Sequence, residues 1–163
     1  MTVLAPPAEI CIYSDEYRPG TLQFLNFIET MGVKHGRKLE IDLSKVRFAS
    51  AAASLLFFAV VNRAQLLTGD PHLIRFKWPK KEKNLEGHRW IVSTGLSRAL
   101  LAGTDEKLQA LTREERFFQS AVEPFEHIVE TVTMLQRKAV LNDEQLDLLL
   151  TAISEALLNV SHH

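Results

Sequence analysis

The sequence predicts an α/β fold followed by a mainly helical C-terminal segment. Three observations carry this. Short apolar or alternating runs at Glu9–Tyr13, Arg37–Leu43 and His72–Trp78 alternate with longer runs at helical spacing. Gly103 is the last glycine, and the longer runs beyond it all have helical spacing. The charge also changes there: residues 1–103 hold 14 Lys/Arg and 9 Asp/Glu, net +5, and residues 104–163 hold 5 and 11, net −6. Strands alternating with helices give a sheet with right-handed crossovers. The charge asymmetry fits two units that attract one another or choose different partners, and equally fits two unrelated solvated surfaces.

Composition narrows the class. The 163 residues are 46% hydrophobic and 24% charged, with a net charge of −1, as in an ordinary folded domain. No apolar run reaches the roughly 18 residues that would signal a membrane span. The N-terminus lacks the basic region of a signal peptide, so a cytoplasmic protein is expected. Cys11, the single cysteine, can form no internal disulfide and reads as a small buried residue. Cys, His and acidic residues form no cluster at metal-ligand spacing.

Taken in order, residues 1–8, with Pro6 and Pro7, read as a loose leader. Glu9–Tyr13 suits a buried strand, and Ser14–Gly20 has turn chemistry. A helix follows Thr21, with Leu25, Ile28 and a neighbouring Phe facing the core and Gly32 at its end. Arg37–Leu43 alternates as a strand with one covered face, and Ser44–Phe48 is a connection. Ser50 is a candidate N-cap for a helix running to about Leu67 and ended by Gly69-Asp70-Pro71. That helix is apolar nearly all round at its start, which predicts burial on more than one side, with something packed close to its three alanines. His72–Trp78 is a third strand, Glu86–Val92 a helical or turn segment, and Gly95–Leu101 a short helix. The lysines of Phe76–Asn84 surround Trp78, but a solvated loop is the plainer reading and nucleic acid is not an expected partner.

The run LEIDLSKVRFASAAASLLFFAVVNRAQLL resembles the central part of STAS domains, the fold of anti-sigma-factor antagonists. The resemblance covers residues 9–103 and implies a protein-binding module. The family motif places Asp, a phosphorylated Ser/Thr and Gly where this chain has Ser50, Ala51 and Ala53. The architecture is matched and the switch chemistry is not, because alanine has no hydroxyl to phosphorylate. Ser50 reads as a cap before it reads as a phosphoacceptor.

Residues 104–123 read as a linker, with a candidate strand at Phe117–Val122. Residues 124–163 read as two helices, Phe125–Val140 and Asn142–His163. Asn142 is the candidate N-cap of the second, with Gln145 three residues on as a capping-box partner. Leu146, Leu149, Leu150, Ile153, Leu157 and Val160 make its apolar face. Glu155, Asn159 and His163 stand four residues apart in a polar stripe beside that face.

This stripe resembles the E-x-x-x-N-x-x-x-H-A motif that opens the ATPase domain shared by histidine kinases, gyrase-type ATPases and MutL, closest to the anti-sigma-factor serine kinases. The resemblance implies ATP and Mg²⁺ as cofactors of a complete domain. It assigns Glu155 a base or polarising role, Asn159 the Mg²⁺ contact, and His163 to the nucleotide site. Four-residue spacing puts Glu155 and Asn159 about 6 Å apart, a carboxylate beside a hard neutral oxygen ligand. A packed or exposed terminal His, or an expression scar at His162-His163, accounts for His163 equally well. The family's D-x-G-x-G turn and second glycine-rich loop do not occur in the chain. The chain therefore reads as the front of a longer protein, an incomplete α/β ATPase domain, with no cofactor expected to bind this fragment. The apolar face of the last helix should pack on residues 9–103 or on another copy, giving a homo-oligomer through the C-terminal helices.

Two functions follow. One is a bacterial signalling regulator, a STAS-like interaction domain fused to an anti-sigma or serine-kinase-like ATPase domain, with a regulatory or sigma-pathway protein as partner. The other is a non-enzymatic interaction module with no nucleotide chemistry.

Overall fold

A computed structural model describes the backbone of residues 1–70, 72–101 and 124–161, and the side chains of the same residues except 124–130 and 155–161. The described residues fall in two compact units, one within Met1–Gln119 and one within Ser120–His163. The expected linker and the candidate strand at Phe117–Val122 lie outside the described residues.

The first unit is mixed α/β with all its strand pairs parallel. Its elements are β1 (Thr2–Leu4), β2 (Glu9–Ile10), α1 (Arg18–Ile28, continued by π-helical turns Glu29–Lys34), β3 (Leu39–Asp42) and β4 (Phe48–Ala49). They continue with α2 (Ala51–Thr68), β5 (Ile74–Lys77), α3 (Leu85–Gly87, continued by π-helical turns His88–Ser93) and α4 (Leu96–Ala99). One sheet has the order β1-β3-β5 and a second pairs β2 with β4. The two sheets share a cause. β1 pairs with β3, both chains bend, and they pair again as β2 and β4. The first bend holds Pro6 and Pro7, which lack the N–H a ladder requires. The second begins with a turn in which Asp42 Oδ1 accepts the Ser44 N–H at 2.9 Å.

Several expectations change here. The leader over residues 1–8 is in part an edge strand, since Thr2–Leu4 pairs with Leu39–Ile41. Phe48, expected to end a connection, opens a strand. The first helix starts at Arg18 inside the expected turn, with Pro19 in its first turn, where a missing N–H costs nothing. Thr21 is therefore inside the helix, buried, and accepts the Cys11 N–H at 3.1 Å. Gly32 does not end the helix. An added Cβ there would sit 3.4 Å from the Ala64 Cβ, so Gly32 lets α2 come close. The chain turns instead at Gly36, in the left-handed region at φ +59°.

The core lies between the main sheet and the two long helices. Monotonic strand order with right-handed crossovers puts α1 and α2 on one face. That face carries Leu39, Ile41 and Ile74, all buried, and meets Phe24, Leu25 and Ile28 of α1 and Ala53, Phe57, Val61 and Ala64 of α2. Phe57 is central, with ring centroids 5.2 Å from Phe24 and 6.2 Å from Phe76. The alternate strand residues, Val3, Glu40, Arg75, Asp42 and Lys77, face away from this core.

α2 begins and ends as expected. Ser50 is extended, buried, and its Oγ accepts the Ala53 N–H at 3.4 Å. Gly69 closes the helix in the left-handed region at φ +63°. One expectation about α2 fails. It is buried along one side only, with Leu55 at 58%, Leu56 at 42%, Leu66 at 67% and Leu67 at 64% exposure. By length and composition it also passes as a membrane-crossing helix, with a mean hydropathy of 1.4, although Asn62 and Arg63 keep any uninterrupted apolar run well short of 18 residues. Its buried side is the core helix of this unit.

The second unit is a helical pair, α5 (Pro124–Ala139) and α6 (Asp143–Ser161). Val140 between them is left-handed at φ +53°, the helix-ending role usually held by Gly or Asn. Asn142 and Gln145 form the expected reciprocal box: Gln145 N–H donates to Asn142 Oδ1 at 2.9 Å, and Asn142 N–H to Gln145 Oε1 at 3.1 Å. Leu146, Leu149, Leu150 and Ile153 are half-buried.

Candidate functional site

In the second unit α6 is continuous through positions 155 and 159, so Glu155 and Asn159 stand one helical turn apart. Their side chains, and all of His163, lie outside the described residues. One carboxylate and one amide supply fewer oxygens than Mg²⁺ requires, and the ion depends on phosphate oxygens and water for the rest. Among the described residues no three His, Cys, Asp or Glu side chains are grouped to hold a metal ion.

The first unit holds a cleft that the sequence does not announce. It lies where β4 ends and α2 begins, at the C-terminal ends of the parallel pair β2-β4. Open α/β sheets place ligands at the same kind of position. Its volume is about 500 Å³, within the range of small-molecule sites. Ala49 and Ser54 form the floor, both buried; Ala51 and Leu55 rise from the first turns of α2; Arg89 and Trp90 face them from the π-helical turns.

The facing wall is held by two residues. The Asn84 side-chain amide donates to the carbonyls of Ser44 at 3.0 Å and Val46 at 2.7 Å, and its Oδ1 accepts the Gly87 N–H at 2.9 Å. One residue thus caps α3 and clamps it to the β3–β4 connection. Gly87 lies so close to that connection that an added Cβ would be 1.9 Å from the Val46 carbonyl oxygen. Trp90 is then pinned edge-on against Phe48, with ring centroids 4.8 Å apart.

The charge around the cleft is uneven. Arg89 has its guanidinium 6.0 Å from the Trp90 ring and forms no ion pair among the described residues. The α2 N-terminus adds the positive end of an 18-residue helix. An adjoining cavity shares Arg89 and Trp90 and is bordered by Glu9, Glu86 and Arg47, with Arg47 3.6 Å from Glu9.

Ser50 is committed locally. Its N–H donates to the Ile10 carbonyl at 2.9 Å, its hydroxyl caps α2, and it is 6% exposed. Cys11 is buried beside it, its thiol held below the ordinary cysteine value chiefly by the Tyr13 backbone, with the Ser50 hydroxyl a smaller cause. Of the three expected alanines, Ala53 packs into the core while Ala51 is exposed and lines the cleft.

Sequence reasoning placed Ser50 correctly and missed Asn84, Gly87, Arg89 and Trp90. Asn-x-x-Gly at 84–87 is a legible cap signal, but the carbonyls it clamps lie some 40 residues away and only the fold brings them near. The chain matches no family model, no curated protein and no solved structure.

Proposed function

We propose that this chain is a regulatory protein-interaction module, the STAS-like half of a bacterial signalling regulator. The observation that carries the reading is the exposed apolar stripe of α2. Leu55 and Leu56 near its start and Leu66 and Leu67 near its end are 42–67% exposed, and the two pairs stand eleven residues, about three helical turns, apart on one side. Exposed leucines gathered along one side of a packed helix suit a partner surface. Ala51 in place of the family's phosphorylated hydroxyl makes the module one that binds without that switch.

The test is partner capture from the source organism with two charge variants. Leu56→Glu should weaken capture of the protein partner at least roughly tenfold, because a buried unpaired carboxylate costs more than about 1.4 kcal/mol. Arg75→Glu, on the strand face turned away from the helices, should leave it unchanged. Equal loss in both variants, or in neither, would sink the proposal.

The second half of the reading is that α6 opens an ATPase domain resembling that of anti-sigma-factor serine kinases, with Glu155, Asn159 and His163 toward ATP and Mg²⁺. The reciprocal Asn142–Gln145 box favours it, since it sets where α6 starts and so keeps Glu155 and Asn159 on one uninterrupted helix. The alternative is the same interaction module with no nucleotide chemistry. Calorimetry of this chain with Mg²⁺ and a non-hydrolysable ATP analogue should give no micromolar site. A micromolar site would mean that this chain binds nucleotide unaided.

A further inference from the structure

We infer that the cleft between the start of α2 and the π-helical turns His88–Ser93 is a binding site for a small aromatic carboxylate. This goes beyond the interaction reading and does not depend on it. Four features define the ligand.

The first is an unpaired polar group inside an apolar enclosure. Ser54 is 7% exposed and lines the cleft, and its hydroxyl has no hydrogen-bond partner among the described residues. No described side-chain oxygen or nitrogen is both fully covered and unpaired, so this hydroxyl keeps an open approach from the cleft it lines. A serine inside a helix commonly bonds the carbonyl four residues back, as Thr68 does to Ala64 at 2.7 Å. Ser54 does not, and stays available to a ligand oxygen.

The second is the source of positive charge. Ala51 and Ala52 are the first two residues of α2, where backbone N–H groups have no partner within the helix. Ser50 Oγ takes the N–H of Ala53 only. Arg89 stands on the opposite wall with no ion pair among the described residues. A helix end worth about half a charge and one guanidinium suit a single negative charge.

The third sets the upper limit on that charge. Glu86 and the Glu9–Arg47 ion pair border the adjoining cavity that shares Arg89, so Glu86 is the carboxylate there with no ion pair among the described residues. A phosphate dianion would meet the repulsion of Glu86 with Arg89 as the one cation without an ion pair among the described residues of the two cavities, whereas a carboxylate carries half that charge.

The fourth is the body of the ligand. Ala49, Ala51, Leu55 and Trp90 leave most of the enclosure apolar, and about 500 Å³ accommodates a fused ring system. The indole of Trp90 offers a stacking surface that an alkyl chain would use less well.

Naphthoate is a suitable probe, with naphthamide as its uncharged counterpart. Binding is followed by amide and indole chemical shifts on the whole chain. Naphthoate should bind at least roughly tenfold tighter than naphthamide. The largest shifts should fall on the Ala51 and Ala52 amides and the Trp90 indole, with Trp78 unmoved. Arg89→Met, an exposed position whose change leaves the fold intact, should erase the preference for the acid. Ser54→Ala should weaken naphthoate roughly fivefold with the preference retained. No binding at millimolar naphthoate would overturn the assignment, as would equal affinity for both probes in the wild type, or shifts centred away from α2.

Discussion

Asp42 shows how much one residue settles in this fold. It ends β3, its carboxylate accepts the Ser44 N–H, and Lys77 on the neighbouring strand donates to it at 2.7 Å. Lys77 first, then Ser44, hold its pKa at about 2. A folded value below the unfolded one of 3.8 contributes stability that is complete above about pH 5. It is lost as pH falls toward 2. With the carboxylate 23% exposed, we expect about 1–2 kcal/mol from this group after solvent screening. Urea unfolding at pH 6 and at pH 3 measures it. The wild type should lose more stability between the two than Asp42→Asn, and equal losses would remove Asp42 from the acid limb. The LEIDLS pattern showed the strand but not this anchor, because Lys77 is 35 residues away in sequence. Ser50 was legible because a cap is local: its acceptor role needs only the backbone three residues on.

Elements were legible in proportion to how locally they are determined. α2, α5 and α6 and the cap of α6 follow from period, Ser50, Pro124, Gly69 and the Asn142–Gln145 pair. β1 and β4 did not, because strands of three and two residues are defined by the partner they pair with. The expectation that the start of α2 is buried on more than one side failed for a related reason. Composition showed an apolar helix, but only the sheet's single covered face decides which side is buried. The π-helical wall of the cleft depends on Gly87. We predict that Gly87→Ala destabilises the first unit by about 3 kcal/mol or more, since its Cβ would overlap the Val46 carbonyl oxygen, a backbone atom with no rotamer to yield. Thermal unfolding would measure this, and a midpoint within a degree of wild type would show that the α3 docking is not as close as described. The same substitution should shift the Trp90 environment, because α3 carries the wall on which Trp90 sits.

At the scale of the molecule, two units differ in charge and in construction. The first is a parallel α/β layer with one face of its sheet packed against α1 and α2. The second is a capped helical pair. The charge of the sequence changes sign near residue 103, whereas the two compact units divide between Gln119 and Ser120. The candidate site moved more than the fold did. Glu155, Asn159 and His163 were prominent because their spacing is local, but their side chains lie beyond what is described. The cleft at Arg89 and Trp90 was invisible because it is assembled from segments joined only in space. The α2 stripe is the surface on which the proposed function rests, and it was hidden inside an apolar run that reads as core. A photo-crosslinking residue at Leu56, compared with one at Arg75 on the opposite side of the sheet, tests that surface directly in the source organism. We predict one dominant protein adduct from position 56 and none from position 75. No protein adduct at 56, or the same adducts from both positions, would contradict the account.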